Sequence, residues 1–180
     1  DLLSRWKTEI MTMPTRPQWV VVFGFYNDIG ATGFTSSTTI ANLRAIFEQA
    51  RDVGIRVCAV TEPALHASGS KFSAANVEWV LAVNRFIRAY VRENPGCVLA
   101  DAFRLTVDAA NTTNRGASLS GMIDTDNVHV IGRGQYYVGK AVANAVSPYM
   151  PDASPFVTCA AETSVAGVNK HNALDARFRR

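Results

Sequence analysis

The sequence predicts a three-layer α/β domain built on a parallel sheet. Three observations carry that expectation: short runs of consecutive apolar residues, stretches of helical period between them, and a regular alternation of the two along the chain. Apolar runs with no polar alternation suit strands covered on both faces, the usual state of a parallel sheet.

The first strand is expected at Trp19 to Phe23 (WVVVF), bounded by Pro17 and Gly24. A helix follows over Ser37 to Val53, where Ile40, Leu43, Phe47 and Ala50 share one face, Ser and Thr offer caps, and Gly54 ends the run. Ile55 to Thr61 (IRVCAVT) reads as a second buried strand, with Pro63 opening a polar loop through Ser73. Val77, Val80, Leu81, Asn84, Ile87 and Val91 then mark a long amphipathic helix that the Asn94-Pro95-Gly96 break closes. Cys97 to Ala100 is a third strand with Asp101 at its tip. The last helix is expected over Gln135 to Met150, from Val138, Ala141, Val142, Ala145, Val146 and Tyr149. Right-handed crossovers fix where the intervening helices pack. Two stretches stand outside the alternation. The passage from Ala102 to Asp124, rich in Asn, Thr, Ser and Gly, is too long for a plain connection and is expected to be functional or mobile. Residues 151 to 180 lose the pattern and read as a linker or the start of a further module, after a domain over residues 1 to 150.

A chain of 180 residues suits one domain with a core of its own. With 48% hydrophobic and 18% charged residues, it is neither disordered by composition nor built like a membrane protein. No run approaches the ~18 apolar residues of a membrane span, and no leader is evident in DLLSRWKTEIMTMPTRP. The formal charge of +3 is spread along the chain except for RFRR at the end, so nucleic acid is not expected as a partner. Cys58 and Cys97 lie inside strand-like runs and read as small buried hydrophobes, while Cys159 lies in the polar tail and leaves the redox compartment open.

Ligands of open α/β sheets bind at the carboxyl ends of the strands. The first strand delivers Gly24-Phe25-Tyr26-Asn27-Asp28 there, the second Thr61, Glu62 and Pro63, the third Asp101. Asp126-Asn127-Val128-His129 follows in the loop before the last helix. A carboxylate three residues before a His can hold its Nδ1 proton and leave Nε2 as a general base. An Asn amide at a strand end can donate to the oxyanion of a tetrahedral intermediate.

Gly24, Asn27 and Asp28 after an apolar strand, with Asp126 and His129 before the final helix, resemble the third and fifth sequence blocks of the SGNH (GDSL) hydrolase superfamily over about residues 1 to 150. The resemblance implies a flavodoxin-like parallel sheet with flanking helices and a serine esterase of the kind that includes carbohydrate O-deacetylases. It gives Asn27 as oxyanion donor, His129 as general base and Asp126 as the residue that orients it. It implies no cofactor and an ester substrate, with an acetylated carbohydrate as one class. The chain also departs from the family. Phe25 stands where members usually carry the Gly two residues before the Asn, and neither the G-D-S block of the nucleophilic Ser nor the block that supplies a second oxyanion Gly is present. Ser4 follows Leu rather than Gly-Asp, and the interval to Asn27 has no room for the missing strand and helix. The expectation is therefore a domain lacking its first strand or two and inactive alone. In a 2-1-3-4-5 order the absent strand lies beside the one from Trp19, which leaves an open edge for the rest of the domain or for a second copy.

Other readings compete. Asn27-Asp28 can be a plain turn, and Asp126 with His129 a helix cap. Asp124, Asp126 and Asn127 resemble the opening of a calcium loop but lack its Gly and distal Glu. His66 and His171 read as solvated and Glu62 as a surface carboxylate. Tyr26 and the Asn-rich loop can hold a sugar. A non-catalytic carbohydrate-binding module of a larger surface or viral fibre protein has the same pattern. A flavodoxin-like binder is disfavoured because no Gly-rich phosphate loop follows a strand.

Overall fold

Side-chain alternation along a strand explains how three short strands hold two cores apart. In the computed structural model, which describes residues 2–124, 127 and 129–150, β1 (Trp19–Val22), β2 (Arg56–Val60) and β3 (Cys97–Ala100) form a parallel sheet in the order β1-β2-β3. Val57 and Ala59 of β2 point into one core; Cys58 and Val60 point into the other. The first core is filled by α2 (Ser36–Asp52) and α3 (Ala74–Glu93), the two crossover helices. The second is closed by α5 (Arg133–Val146) through Ala141, Val138 and Val142. The expected three layers are therefore present.

Local chemistry sets the helix limits. Thr35 caps α2 with a reciprocal pair of bonds to Thr38, and Gly54, at φ 77°, ends it while the Ile55 N–H returns to the Ala50 carbonyl at 2.8 Å. Ser73 caps α3 by accepting the Asn76 N–H. Between these helices Phe47, Phe86 and Tyr90 pack with ring centroids 5.1 to 6.3 Å apart.

Two helices were not foreseen from periodicity. The chain opens with α1 (Leu2–Arg5), which continues as a π-helical turn over Trp6–Ile10, and Trp6 is buried with its indole N–H on Gln49 of α2 at 3.2 Å. A short α4 (Ala102–Thr106) follows β3, capped by Asp101. The passage after it is tied to the body by a parallel bridge from Leu65 to Ala117 and an antiparallel one from Val107 to Ser118, rather than hanging as a plain loop.

Cys58 and Cys97 are buried free thiols, and burial pushes Cys58 up to about 11, which suits the structural role expected of it. Asp126, Cys159, His171 and the segment 151–180 lie outside the described residues. No helix among the described residues is long and apolar enough to cross a membrane.

Among the described residues both outer strands, β1 and β3, pair only with β2. On the α5-facing side of β1, Val21 and Phe23 are 49% and 41% exposed, whereas β2 is buried from Val57 onward.

Candidate active site at the carboxyl edge of the sheet

All three strands point their carboxyl ends the same way, and what each end carries differs in kind. At the end of β1, Gly24 takes φ 103°, a left-handed conformation that L side chains rarely adopt, and this turns the chain out of the sheet. The next residue, Phe25, is a core side chain at 3% exposure, so the residue that replaces the family's usual glycine acts as an anchor. The 3₁₀ turn Tyr26–Asp28 follows. Its Asn27 is exposed, and the carboxamide makes no hydrogen bond among the described residues.

The backbone of that turn is held from two sides. The Phe25 N–H donates to the Glu62 carboxylate at 3.3 Å. On the carbonyl side, Lys71 Nζ donates to Tyr26 O at 2.9 Å, Ile29 O at 3.0 Å and Asn27 O at 3.4 Å, and lies 4.9 Å from the Tyr26 ring centroid. Three carbonyls match the three donors of an ammonium group. Asp28 accepts the Thr39 hydroxyl of α2 at 3.5 Å, and burial raises its carboxyl above the ordinary value.

At the end of β2, Thr61 and Glu62 are buried, which corrects the expectation of a surface carboxylate at Glu62. Its backbone is satisfied by Asn84 of α3, whose Oδ1 accepts the Glu62 N–H at 2.9 Å and whose Nδ2 donates to the Glu62 carbonyl at 3.0 Å. Burial pushes the Glu62 carboxyl up to about 7; the nearby charge of Asp28 acts in the same direction, while the Phe25 N–H and Lys71 oppose it. At the end of β3, Asp101 is committed to structure: Arg88 grips it at 2.9 and 2.8 Å, Thr61 donates at 3.1 Å and the Arg104 N–H caps onto it. Burial disfavours its charge, yet Arg88 and these donors outweigh that and hold it below the usual carboxylate range.

His129 is exposed and stands next to Val130 in an antiparallel hairpin pairing that follows buried Met122. Its carbonyl accepts the Asp124 N–H at 2.8 Å, Ile123 pairs with Val130, and Asn127 takes φ 58° in the bend. Gly134 in the first turn of α5 packs directly on the Met122 carbonyl, leaving no room for a Cβ, so the hairpin and the helix are locked together.

The Asn27 turn and the His129 hairpin meet the same loop, residues 66–72. Lys71 binds the Asn27 carbonyl, and Gly69 lies against the Asn127 carbonyl so closely that a Cβ there would sit 2.5 Å from it. The carbonyls of Asn27 and Asn127 are thus both met by the one loop. Ser4, by contrast, is exposed within the helix α1 and not on a strand-end turn. His66 is half-buried, its Nδ1 accepting the Ser68 N–H at 3.2 Å, rather than fully solvated. A groove of about 410 Å³ opens beside the starts of α2 and α3, lined by Phe34, Thr35, Glu78, Trp79 and Arg85; neither Asn27 nor His129 borders it. Sequence reasoning missed Lys71 and the burial of Glu62. Asn84 was the available signal, a polar residue inside an otherwise apolar helix stripe; Lys71 has none.

No protein-family profile and no curated protein sequence matches the chain. Solved structures do. A GDSL-like lipase from Bacteroides thetaiotaomicron VPI-5482 superposes with a TM-score of 0.68 at 19% identity, over 82% of this chain and 70% of that one. The acetyl xylan esterase AlAXEase gives a TM-score of 0.59 at 21% identity, over 80% and 73%. An acetyl esterase variant with an acetate ion gives 0.55 at 20% identity, over 83% and 65%. The chain has the α/β fold of the SGNH (GDSL) hydrolases.

Proposed function

We propose that this domain is the later part of an SGNH-type serine esterase whose substrate is an ester, with O-acetyl groups on a carbohydrate as the favoured class. In this reading a Ser hydroxyl attacks the ester carbonyl while His129 Nε2 takes its proton; Asp126 holds the Nδ1 proton and stabilises the imidazolium. The Asn27 carboxamide donates to the oxyanion. Collapse breaks the bond to the alcohol, which leaves with the proton from His129, and water then releases the acid by the same steps. The nucleophile comes from a strand seated on the open edge of β1, contributed by a preceding part of the polypeptide. Without that strand the chain is inactive.

What supports this reading above all is the shared loop: Lys71 meets the Asn27 carbonyl and Gly69 meets the Asn127 carbonyl. The exposed Val21 and Phe23 at the edge strand β1 support the missing strand, because exposed apolar residues at a sheet edge are ordinarily covered. The neighbours named as acetyl xylan esterase and acetyl esterase support the substrate class. A fluorophosphonate probe applied to the full-length gene product tests it: one Ser outside residues 1–180 is labelled, and His129→Ala abolishes labelling. A full-length product that resists the probe while retaining affinity for acetylated sugar is instead a binding module.

A further inference from the structure

We propose that Glu62 and Lys71 are positioning residues that pin the Asn27 turn from opposite sides and align its carboxamide with the His129 hairpin. The proposal rests on reading Asn27 as the oxyanion donor and concerns how that donor is held.

An oxyanion donor is effective when it is oriented before charge develops, so that no reorganisation is needed in the transition state. An exposed Asn on a three-residue turn has no packing to orient it. Here the orientation comes from the backbone. Glu62 fixes the turn's entry through the Phe25 N–H, and Phe25 itself is buried beside it. Lys71 gathers the carbonyls of residues 26, 27 and 29; the Tyr26 carbonyl also accepts the Ile29 N–H within the turn at 3.2 Å. Since Lys71 spends its donors on carbonyls, it is not an electrophile for substrate; its charge is used to hold backbone. Its loop also reaches the other half of the site, because Gly69, two residues earlier, is seated on Asn127.

Placing a carboxylate in this position is costly by itself. An apolar residue would leave the Phe25 N–H without its partner, and a Gln Oε1 could accept that N–H but would carry no charge to draw Lys71, so the carboxylate serves both contacts. Every charged or titratable group that faces it follows the same logic. Asp28 on the turn repels it, Lys71 on the loop attracts it, and from α3 only the neutral Asn84 amide approaches, bonding its backbone. Ionisation of Glu62 therefore tightens the bond to Phe25 and the attraction to Lys71 together.

Amide NMR of the chain tests the arrangement without requiring activity. The Phe25 amide proton should move downfield with a midpoint near pH 7, following Glu62, and that titration should vanish in Glu62→Gln. In Lys71→Met, hydrogen exchange at the Asp28 and Ile29 amides should quicken by about tenfold or more, while protection in α3 and β2 stays unchanged. A purely structural lysine would loosen all of these together or none. The proposal is overturned if the Phe25 titration persists in Glu62→Gln, or if Lys71→Met leaves the turn's exchange as it was. Should Glu62→Gln fail to fold, the half-buried Lys71 decides alone. These outcomes are separate from probe labelling: a quiet turn with a labelled Ser removes the clamp and keeps the esterase, and the converse removes the esterase and keeps the clamp.

Discussion

Two strand ends flanking β2, roughly 10 Å apart at the usual strand spacing, use polar residues in opposite ways. The tip of β3 spends its whole carboxylate: Asp101 accepts from Arg88 twice, from Thr61 and from the Arg104 backbone, and the result is a joint between α3, β2 and α4. The tip of β1 spends its backbone and keeps its side chain. The Asn27 carbonyl is bound by Lys71 and the neighbouring Phe25 N–H by Glu62, yet the Asn27 carboxamide faces solvent with no partner among the described residues. A polar group that satisfies itself inside the protein stabilises a fold; one held rigidly and left unsatisfied is available to a ligand. The comparison also explains why a costly group sits beneath the second tip, since local inconsistency is tolerated where it supports a site.

The largest expected effect is on Glu62. Its folded carboxyl titrates near 7 against an ordinary 4.5, so between these values the unfolded chain has lost a proton that the folded chain keeps. Stability is therefore fully present below about pH 4.5 and falls as pH rises toward 7, by roughly 3 kcal/mol at most. Glu62→Gln should flatten this slope. Urea unfolding at pH 5 and pH 8 measures it, and equal wild-type slopes before and after the substitution would mean that the carboxylate is hydrated and that β1's tip has no such cost.

Asp101 should give the smaller and opposite response. Its folded carboxyl is held low, so its contribution is present above the ordinary carboxylate value and fades as pH falls through the folded one. Asp101→Asn should cost about 2 kcal/mol at neutral pH, below the range for fully buried pairs because Arg88 is a third exposed. The deficit should close in acid. A deficit that is independent of pH would show that cap geometry, not charge, makes the β3 joint.

What was legible beforehand follows the same division. The strands and long helices announce themselves through local pattern: the apolar run from Cys97 to Ala100 matches β3 residue for residue, the Gly54 stop ends α2, and the Asn94-Pro95-Gly96 break closes α3. The short α4 was invisible because five residues hold no period, and it exists through Asp101 and through Thr106, whose hydroxyl both accepts the Ala64 N–H and bonds back to Ala102. Glu62 was misjudged because its burial depends on Asn84 and Phe25, both distant in sequence. Phe25 read as a departure from a family pattern; its burial shows a different way of anchoring the same turn.

The smallest expected change in stability separates the two tips most sharply. Asn27 is exposed, its carboxamide holds nothing, and the carbonyl that Lys71 binds survives truncation of the side chain. Asn27→Ala should therefore move unfolding free energy by no more than ~0.5 kcal/mol, while under the proposed esterase function it should lower kcat of the full-length protein by about 10²- to 10³-fold, the usual loss for one oxyanion donor. KM should change little, because the donor binds the charge that appears in the transition state more strongly than the neutral carbonyl of the ground state. If the substitution instead destabilises the domain as much as Asp101→Asn does, the carboxamide is holding the turn together. The distinction between a spent and a reserved polar group then fails at the residue on which it was drawn.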